Sequence, residues 1–357
     1  MKKKILIFGA GAIGRGFIAP LFHKYNYEIN FADIDLKLIK KLRKRNFYHS
    51  CIIKKKKYIF QKIFYNKSFD LKTDKIVMSQ YDLVFSCVGP DNCYKNFQFY
   101  KKAKLLISCE NDMNTVDKIK KLTDNKNIFF GIPDVITSNT ASKSVLNKDN
   151  LTVISEDGIL VLENFKKPLP KEIIVVNKQG LYKHWISKLY IHNAPHAIAA
   201  YLGHNKKYTF IHECMQNRKI KKIVTGSIRE ITKGLINCEM VDKKFANYYM
   251  NKELSRFSNK LLYDPVTRVA RDPIRKLNRD NRLIKGFKVA LFNNKLPYNC
   301  AKGIMSALMY YDKQDEQSKQ IKYLKNNFGI SYALQKVSGL DKDDPLISFV
   351  IKQKNIK

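Results

Sequence analysis

The sequence predicts an α/β chain: a doubly wound parallel sheet comes first and a mostly α-helical domain follows. Three observations predict it. Short apolar runs alternate with helix-length segments through the first half, which is the pattern of a parallel sheet covered on both faces. The first of these runs ends in a glycine-rich turn. Beyond about residue 180 strand-like β-branched runs largely disappear and helical periodicity dominates. The expected domains are therefore 1–180 and 181–357. A chain of 357 residues is longer than one core usually grows, and 45% hydrophobic residues can fill two.

Taken in order, Lys4 to Phe8 reads as the first strand, Ile13 to Tyr25 as a helix, and Ile29 to Ala32 as a second strand ending at Asp33. A basic helix follows from Asp35 to about Arg45. Further strands are expected at Ile52 to Phe60, Leu83 to Val88, Leu105 to Cys109, Ile128 to Gly131, Leu151 to Ile154, Ile159 to Leu162 and Ile173 to Val176. The charge run Lys54 to Lys57 reads as a solvated turn.

The opening MKKKILIFGAGAIG has a basic start, but glycines break its apolar stretch after about five residues, which suits a buried strand rather than a signal peptide. Nowhere do 18 apolar residues run together, so no membrane span is expected. Seven cysteines, scattered and without C-x-x-C spacing, point to a reduced cytoplasm. The formal charge is +36. Only 11 of the 67 basic residues are arginine, and lysine is spread through every segment, which reads as compositional drift rather than a selected patch. Such a surface licenses salt-sensitive attraction to polyanions, and no specific nucleic-acid partner is expected.

Gly9, Gly11 and Gly14 form G-x-G-x-x-G between a strand and a helix, with Ala10, Ala12 and Ile13 completing the loop. The first glycine allows the tight turn, the second lets the backbone approach a pyrophosphate, and the third lets helix and strand pack closely. The N–H groups at the helix start then face the phosphates. Asp33 stands 19 residues after Gly14, where its carboxylate accepts from the adenosine ribose hydroxyls and repels a 2′-phosphate. The cofactor indicated is NAD rather than NADP.

The segment from Lys188 to His196 gathers a lysine, an amide and two imidazoles within nine residues. At about 100° per residue, His192, His196 and Asn193 lie roughly 40°, 80° and 140° around a helix from Lys188. Alcohol oxidation by hydride transfer needs a group to take the hydroxyl proton, which a lysine of lowered pKa can do, and donors that stabilise the alkoxide, which an amide supplies. His192 and His196 at i, i+4 also have the spacing of zinc ligands, but H-E-x-x-H is absent and no metal is expected. Pro195 argues against an unbroken helix here.

The segments FGAGAIGRGF (8–17), FADID (31–35), VGP (88–90), SCEN (108–111), KLYIHNAPHAIAAYLG (188–203), RFSN (256–259) and DPVTRVARDPIRKLNRDNRLIKG (264–286) together resemble the polyol-specific long-chain dehydrogenases of the mannitol dehydrogenase family, over nearly the whole chain. The resemblance implies a Rossmann-like first domain. It also implies Lys188 as general acid/base, Asn193 and Asn111 holding the oxygen that changes between carbonyl and alcohol, and His196 orienting the substrate. It further implies zinc-independent interconversion of fructose 6-phosphate and mannitol 1-phosphate with NAD, by a monomer. Three positions depart from the pattern: Pro195 replaces a small residue, Val135 an arginine, and Ser138 a proline.

Six of the 11 arginines, Arg256, Arg268, Arg271, Arg275, Arg279 and Arg282, fall within 27 residues. Their retention in a lysine-dominated chain suggests a demand for a planar fork, as in gripping phosphate oxygens. Some should pair with Asp264, Asp272 and Asp280, and at least one of Arg268, Arg271 and Arg275 is expected to reach a substrate phosphate. The rival readings are a related hexuronate or unphosphorylated-polyol dehydrogenase, and a nucleic-acid-binding protein on an old dehydrogenase fold.

Overall fold

The computed structural model describes residues 2–110, 112–146, 149–163 and 169–355. The chain divides into two compact units, Met1–Trp185 and Ile186–Lys357.

The first unit is built on an eight-stranded sheet. Its first strand, β1 (Lys4–Phe8), is apolar along almost its whole length because a central parallel strand is covered on both faces. It runs parallel to β2 (Glu28–Asp33) on one side, with Ile5 opposite Ile29. The hairpin β3 (Phe47–Lys54) and β4 (Lys57–Phe64) then leaves for a second sheet, and β5 (Lys67–Asp70) returns to pair with β2. On the other side of β1 lie β6 (Leu83–Ser86), β7 (Leu106–Ser108) and β8 (Ile128–Asp134), all parallel. After β9 (Thr137–Ser138) and β10 (Val153–Glu156), β11 (Ile159–Glu163) pairs antiparallel with β8, and β12 (Ile173–Val176) closes the edge. The order is β12-β11-β8-β7-β6-β1-β2-β5, and a four-stranded sheet β4-β3-β10-β9 stands beside it. The progression reverses at β1, between β2 and β6. In open α/β sheets, ligands bind at such a switch point, outside the carboxyl ends of the strands. Ile5, Ile7, Phe22, Phe31, Phe85, Ile107 and Leu160 form the centre of this unit's core.

Two expected elements differ. The single strand expected at Ile52 to Phe60 is the hairpin of β3 and β4, folded at Lys55 and Lys56, which both have positive φ (48° and 59°). The charge run is a turn, as expected, but it lies inside the segment taken for one strand. The helix expected from Ile13 to Tyr25 consists of a widened π turn, Gly14–Ile18, followed by an α-helical turn, Ala19–His23.

The second unit is helical. The helix Ala194–Asn205 is apolar nearly all round and buried, as a helix enclosed by others must be. It packs against the helices Ile211–Gln216, Arg218–Asn237, Val266–Ala270 and Tyr298–Met309. The polar side chains of Asn217, Asp242 and Asp315 cap helix N-termini. Glu316–Ser338 breaks at Gly329, whose φ of 84° no helix accommodates. Among the described residues no helix is long and apolar enough to cross a membrane, and none of the seven cysteines is in a disulfide.

The helices Arg218–Asn237 and Arg282–Ala290 approach so closely at Gly234 that a Cβ there would stand 2.1 Å from the Val289 carbonyl oxygen. Backbone cannot swing aside as a side chain can. Gly234→Ala should therefore cost roughly 1–3 kcal/mol, read as a lower urea midpoint with the far-ultraviolet circular dichroism of the native protein retained.

Candidate active site

The glycine loop follows β1 at the switch point. Gly9 has φ +92°, and a Cβ on it would meet the Cys87 carbonyl oxygen at 2.5 Å. A Cβ on Gly14 would lie 2.0 Å from the Gly9 carbonyl oxygen. Gly11 has nothing within 4 Å of its Cβ position, which leaves room for a pyrophosphate to meet the backbone. Asp33, at the end of β2, is tied to this loop: its Oδ2 accepts from the Ala10 N–H at 2.7 Å and its Oδ1 from the Asp35 N–H at 2.9 Å. Each oxygen keeps a lone pair for a ribose hydroxyl. These residues fit a dinucleotide.

Two residues of this region were not singled out by the sequence. Arg15, 6% exposed, donates from Nε to the Ala10 carbonyl at 2.5 Å and from Nη1 to the Leu151 carbonyl, while the Tyr48 hydroxyl donates to the Arg15 carbonyl at 2.6 Å. The backbone of Ala10 is thus held by Asp33 at its N–H and by Arg15 at its carbonyl. Arginine scarcity was the available signal, since only Arg15, Arg43 and Arg45 precede residue 200. Glu110 is the other. It is buried behind the Val88-Gly89 turn and accepts from Ser86 Oγ, the Val88 N–H and the Gly89 N–H. Burial pushes its carboxyl up, against the pull of those three bonds. Asn111 lies outside the described residues.

In the second unit, Lys188 and Asn193 belong to one widened π segment, Ser187–Asn193, which passes directly into the helix Ala194–Asn205. Pro195 explains this locally. It has no N–H, and its ring clashes with the carbonyl four residues back, so a turn with i→i+5 pairing relieves the conflict. The expected 100° spacing therefore does not hold here: with more residues per turn, positions four and five apart lie closer to one face than they do on an α-helix. Lys188 is 9% exposed. Asn193 Nδ2 is buried and has no hydrogen-bond partner among the described residues. A buried amide donor without a partner is costly, and it fits a position where a ligand oxygen sits.

Each imidazole is held by a carboxylate, and each carboxylate by an arginine. His192 Nδ1 meets Glu253, whose other oxygen accepts from Arg256 at 2.6 Å. His196 Nε2 lies 2.8 Å from Asp264, which also accepts from Arg268. The two rings are 5.0 Å apart, and His196 stacks on Phe257 at 4.9 Å. Burial drives the His192 pKa down to about 4, more than Glu253 can restore, so the ring is neutral and donates its Nδ1–H to that carboxylate. Burial would raise Asp264, but Arg268 and His196 together hold it well below the usual carboxylate range. No three His, Cys, Asp or Glu side chains among the described residues converge as a metal site requires. Glu253 was not anticipated, because its partner is 61 residues away.

Of the arginines, Arg268 pairs with Asp264 and Arg275 with Asp272 at 3.1 Å, while Arg279 donates to the Gly339 carbonyl. Arg271 is exposed and has no carboxylate partner among the described residues. Beside them Lys276 and Arg282 are buried. Desolvation and the neighbouring cations push Lys276 well below its usual pKa and Arg282 down to about 9. The hydroxyls of Tyr201 and Tyr310 nearby are buried without partners among the described residues. Val135 and Ser138 are both buried, Val135 against Gly158 and Ser138 within β9.

Residues 3–125 match the family described as Mannitol dehydrogenase Rossmann domain, and residues 181–354 match Mannitol dehydrogenase C-terminal domain. A mannitol-1-phosphate 5-dehydrogenase of Caldanaerobacter subterraneus subsp. tengcongensis is 30% identical, over 98% of this chain and 97% of that protein. The chain belongs to the mannitol dehydrogenase family. Proteins of the same name from Clostridium acetobutylicum and from Buchnera aphidicola subsp. Schizaphis graminum are 29% and 30% identical, over 97% and 98% of this chain and 97% of each relative. Among solved structures, a Pseudomonas fluorescens mannitol 2-dehydrogenase in complex with NAD and D-mannitol shares the fold with a TM-score of 0.76 at 13% identity, covering 99% of this chain and 91% of that one. The chain is thus an oxidoreductase on a Rossmann-like sheet with a helical C-terminal unit, as its fold class was read from sequence.

The depressed His192 pKa has a stability consequence. A histidine that resists protonation only in the fold contributes fully above its unfolded pKa of about 6.5, and the contribution is lost as pH falls toward 4. His192→Gln should flatten the fall in urea midpoint across that window. His204 and His212, also pushed down by burial, and Asp264, held down by its cations, contribute to the slope that remains. An unchanged slope would place the titration elsewhere.

Proposed function

We propose that the protein interconverts D-mannitol 1-phosphate and D-fructose 6-phosphate with NAD, by hydride transfer without zinc, with Lys188 as the general acid/base. The observation that carries this reading is the π segment. It holds within one short stretch a buried lysine and an amide donor with no partner among the described residues, in a chain that resembles proteins named mannitol-1-phosphate 5-dehydrogenase along nearly its full length.

When bound, NAD supplies or takes the hydride. Gly9, Ala10, Gly11, Ala12, Ile13 and Gly14 bind its pyrophosphate, and Asp33 binds the adenosine ribose and excludes a 2′-phosphate. Lys188 takes the hydroxyl proton on oxidation and returns it on reduction. Asn193, with Asn111, holds the oxygen on which charge develops. His196, fixed by Asp264, orients the substrate. Arg271, which has no carboxylate partner among the described residues, is suited to phosphate, and so are the parts of the Arg268 and Arg275 forks not used by Asp264 and Asp272. The excess positive charge at Lys276 and Arg282 favours the same anion. The protein acts as a monomer in a reducing cytoplasm and binds nucleic acid only nonspecifically.

The test is NADH oxidation by purified protein with fructose 6-phosphate, beside fructose and a hexuronate. Turnover should require the phosphorylated sugar and should fall roughly 100- to 10,000-fold in Lys188→Ala. Equal turnover of unphosphorylated fructose would reject the substrate, and an active Lys188→Ala would reject the base.

A second outcome follows from the two backbone N–H groups that Asp33 satisfies. Asp33→Ser should lose NADH affinity without gaining NADPH affinity, because the Ala10 peptide is released when the 2′-phosphate is admitted. Titration with both nucleotides checks it, and a simple switch to NADPH would contradict it.

A further inference from the structure

At the far end of the nucleotide site from Asp33 lies a charge that the proposed chemistry does not use. Glu110 follows β7 and is 4% exposed. Its Oε1 accepts from Ser86 Oγ at 2.7 Å and the Val88 N–H at 2.9 Å, and its Oε2 accepts from the Gly89 N–H at 2.7 Å. Three donors and no acceptor face it, which is the pattern of a carboxylate rather than a carboxylic acid. The nearby Cys87, Cys93 and Tyr100 are kept protonated, Cys87 chiefly by its contact with Cys109 and the others by burial. Among the described residues Glu110 makes no ion pair. A buried carboxylate held only by neutral donors is an expensive arrangement.

The strand order says what lies above it. The sheet runs β2-β1-β6-β7, with neighbouring strands roughly 4.8 Å apart. Asp33 on β2 fixes the adenosine side and Gly11 after β1 the pyrophosphate. The other half of a dinucleotide therefore extends over β6 and β7, whose carboxyl ends carry Val88-Gly89 and Glu110. A Cβ on Gly9 would come within 3.2 Å of the Val88 side chain, so this turn adjoins the glycine loop. Gly89, with φ +92°, has nothing within 4 Å of its Cβ position, and its backbone is open on the side where a ring would lie.

We propose that Glu110 is a positioning residue whose charge, set behind the Val88-Gly89 turn, stabilises the positively charged ring of oxidised nicotinamide over the neutral reduced ring. The inference rests on NAD being the cofactor. It biases the bound equilibrium toward NAD+, which is the direction of sugar reduction.

The test is the ratio of dissociation constants for NAD+ and NADH, measured by calorimetry without substrate. Glu110→Gln should raise that ratio about tenfold. Glu110→Asp, which keeps the charge on a shorter arm, should weaken both nucleotides while leaving the ratio near its native value. Equal weakening of both by Glu110→Gln would reduce Glu110 to a prop for the turn and overturn the proposal. The wild-type ratio offers a reading that does not depend on a variant folding. It should rise as pH is lowered and Glu110 takes up its proton, with Cys87, Cys93 and Tyr100 already protonated, and a flat ratio down to about pH 4.5 counts against the idea. Native protein that binds neither nucleotide would reject the NAD reading itself, a different result from an unchanged ratio.

Discussion

The nucleotide end of the molecule depends on one close approach, the packing of Gly14 against the carbonyl of Gly9. No side chain fits between them, since a Cβ would stand 2.0 Å from that oxygen. Because they touch, β1 can turn directly into the Gly14–Ile18 segment with its N–H groups aimed outward. Asp33 and Arg15 then grip the backbone of Ala10 at its N–H and its carbonyl, which fixes the loop before any ligand arrives. Order of this kind lowers the cost of binding, because the backbone has little freedom left to lose.

The second unit obtains a similar rigidity from charge. Two arginine–carboxylate–imidazole chains, through Glu253 and Asp264, lie side by side with Phe257 against both rings. Buried ion pairs seldom add net stability, because desolvation offsets the attraction. What they supply here is orientation: the proton on His192 Nδ1 is fixed by its carboxylate, and the ring cannot turn without leaving Glu253 unsatisfied.

The parts legible in the sequence are those whose physical demands are local. Glycines at fixed offsets, a strand ending in Asp33 and the loss of strand signals near residue 180 each express a constraint acting over a few residues. The hairpin was misread because Lys55 and Lys56 adopt positive φ without the glycine or asparagine that announces such a turn. The polar four-residue strand β5 (Lys67–Asp70) carries no alternation to read. Arg15, Glu110 and Glu253 escaped notice for another reason. Their roles are set by Leu151, Ser86 and His192, at separations of 136, 24 and 61 residues, which no local pattern encodes. The helical wheel drawn through Lys188 assumed a pitch that the segment Ser187–Asn193 does not have.

The π pitch of the Lys188 segment makes its arrangement a matter of backbone winding as well as residue identity. A π segment is in effect an α-helix carrying one extra residue. Wound instead at the regular 100° pitch with every residue kept, the same segment would leave Asn193 roughly 140° around from Lys188, though every functional group remained. Which side chains share a face is thus decided in this chain by the winding of its backbone, and residue identity alone does not settle it.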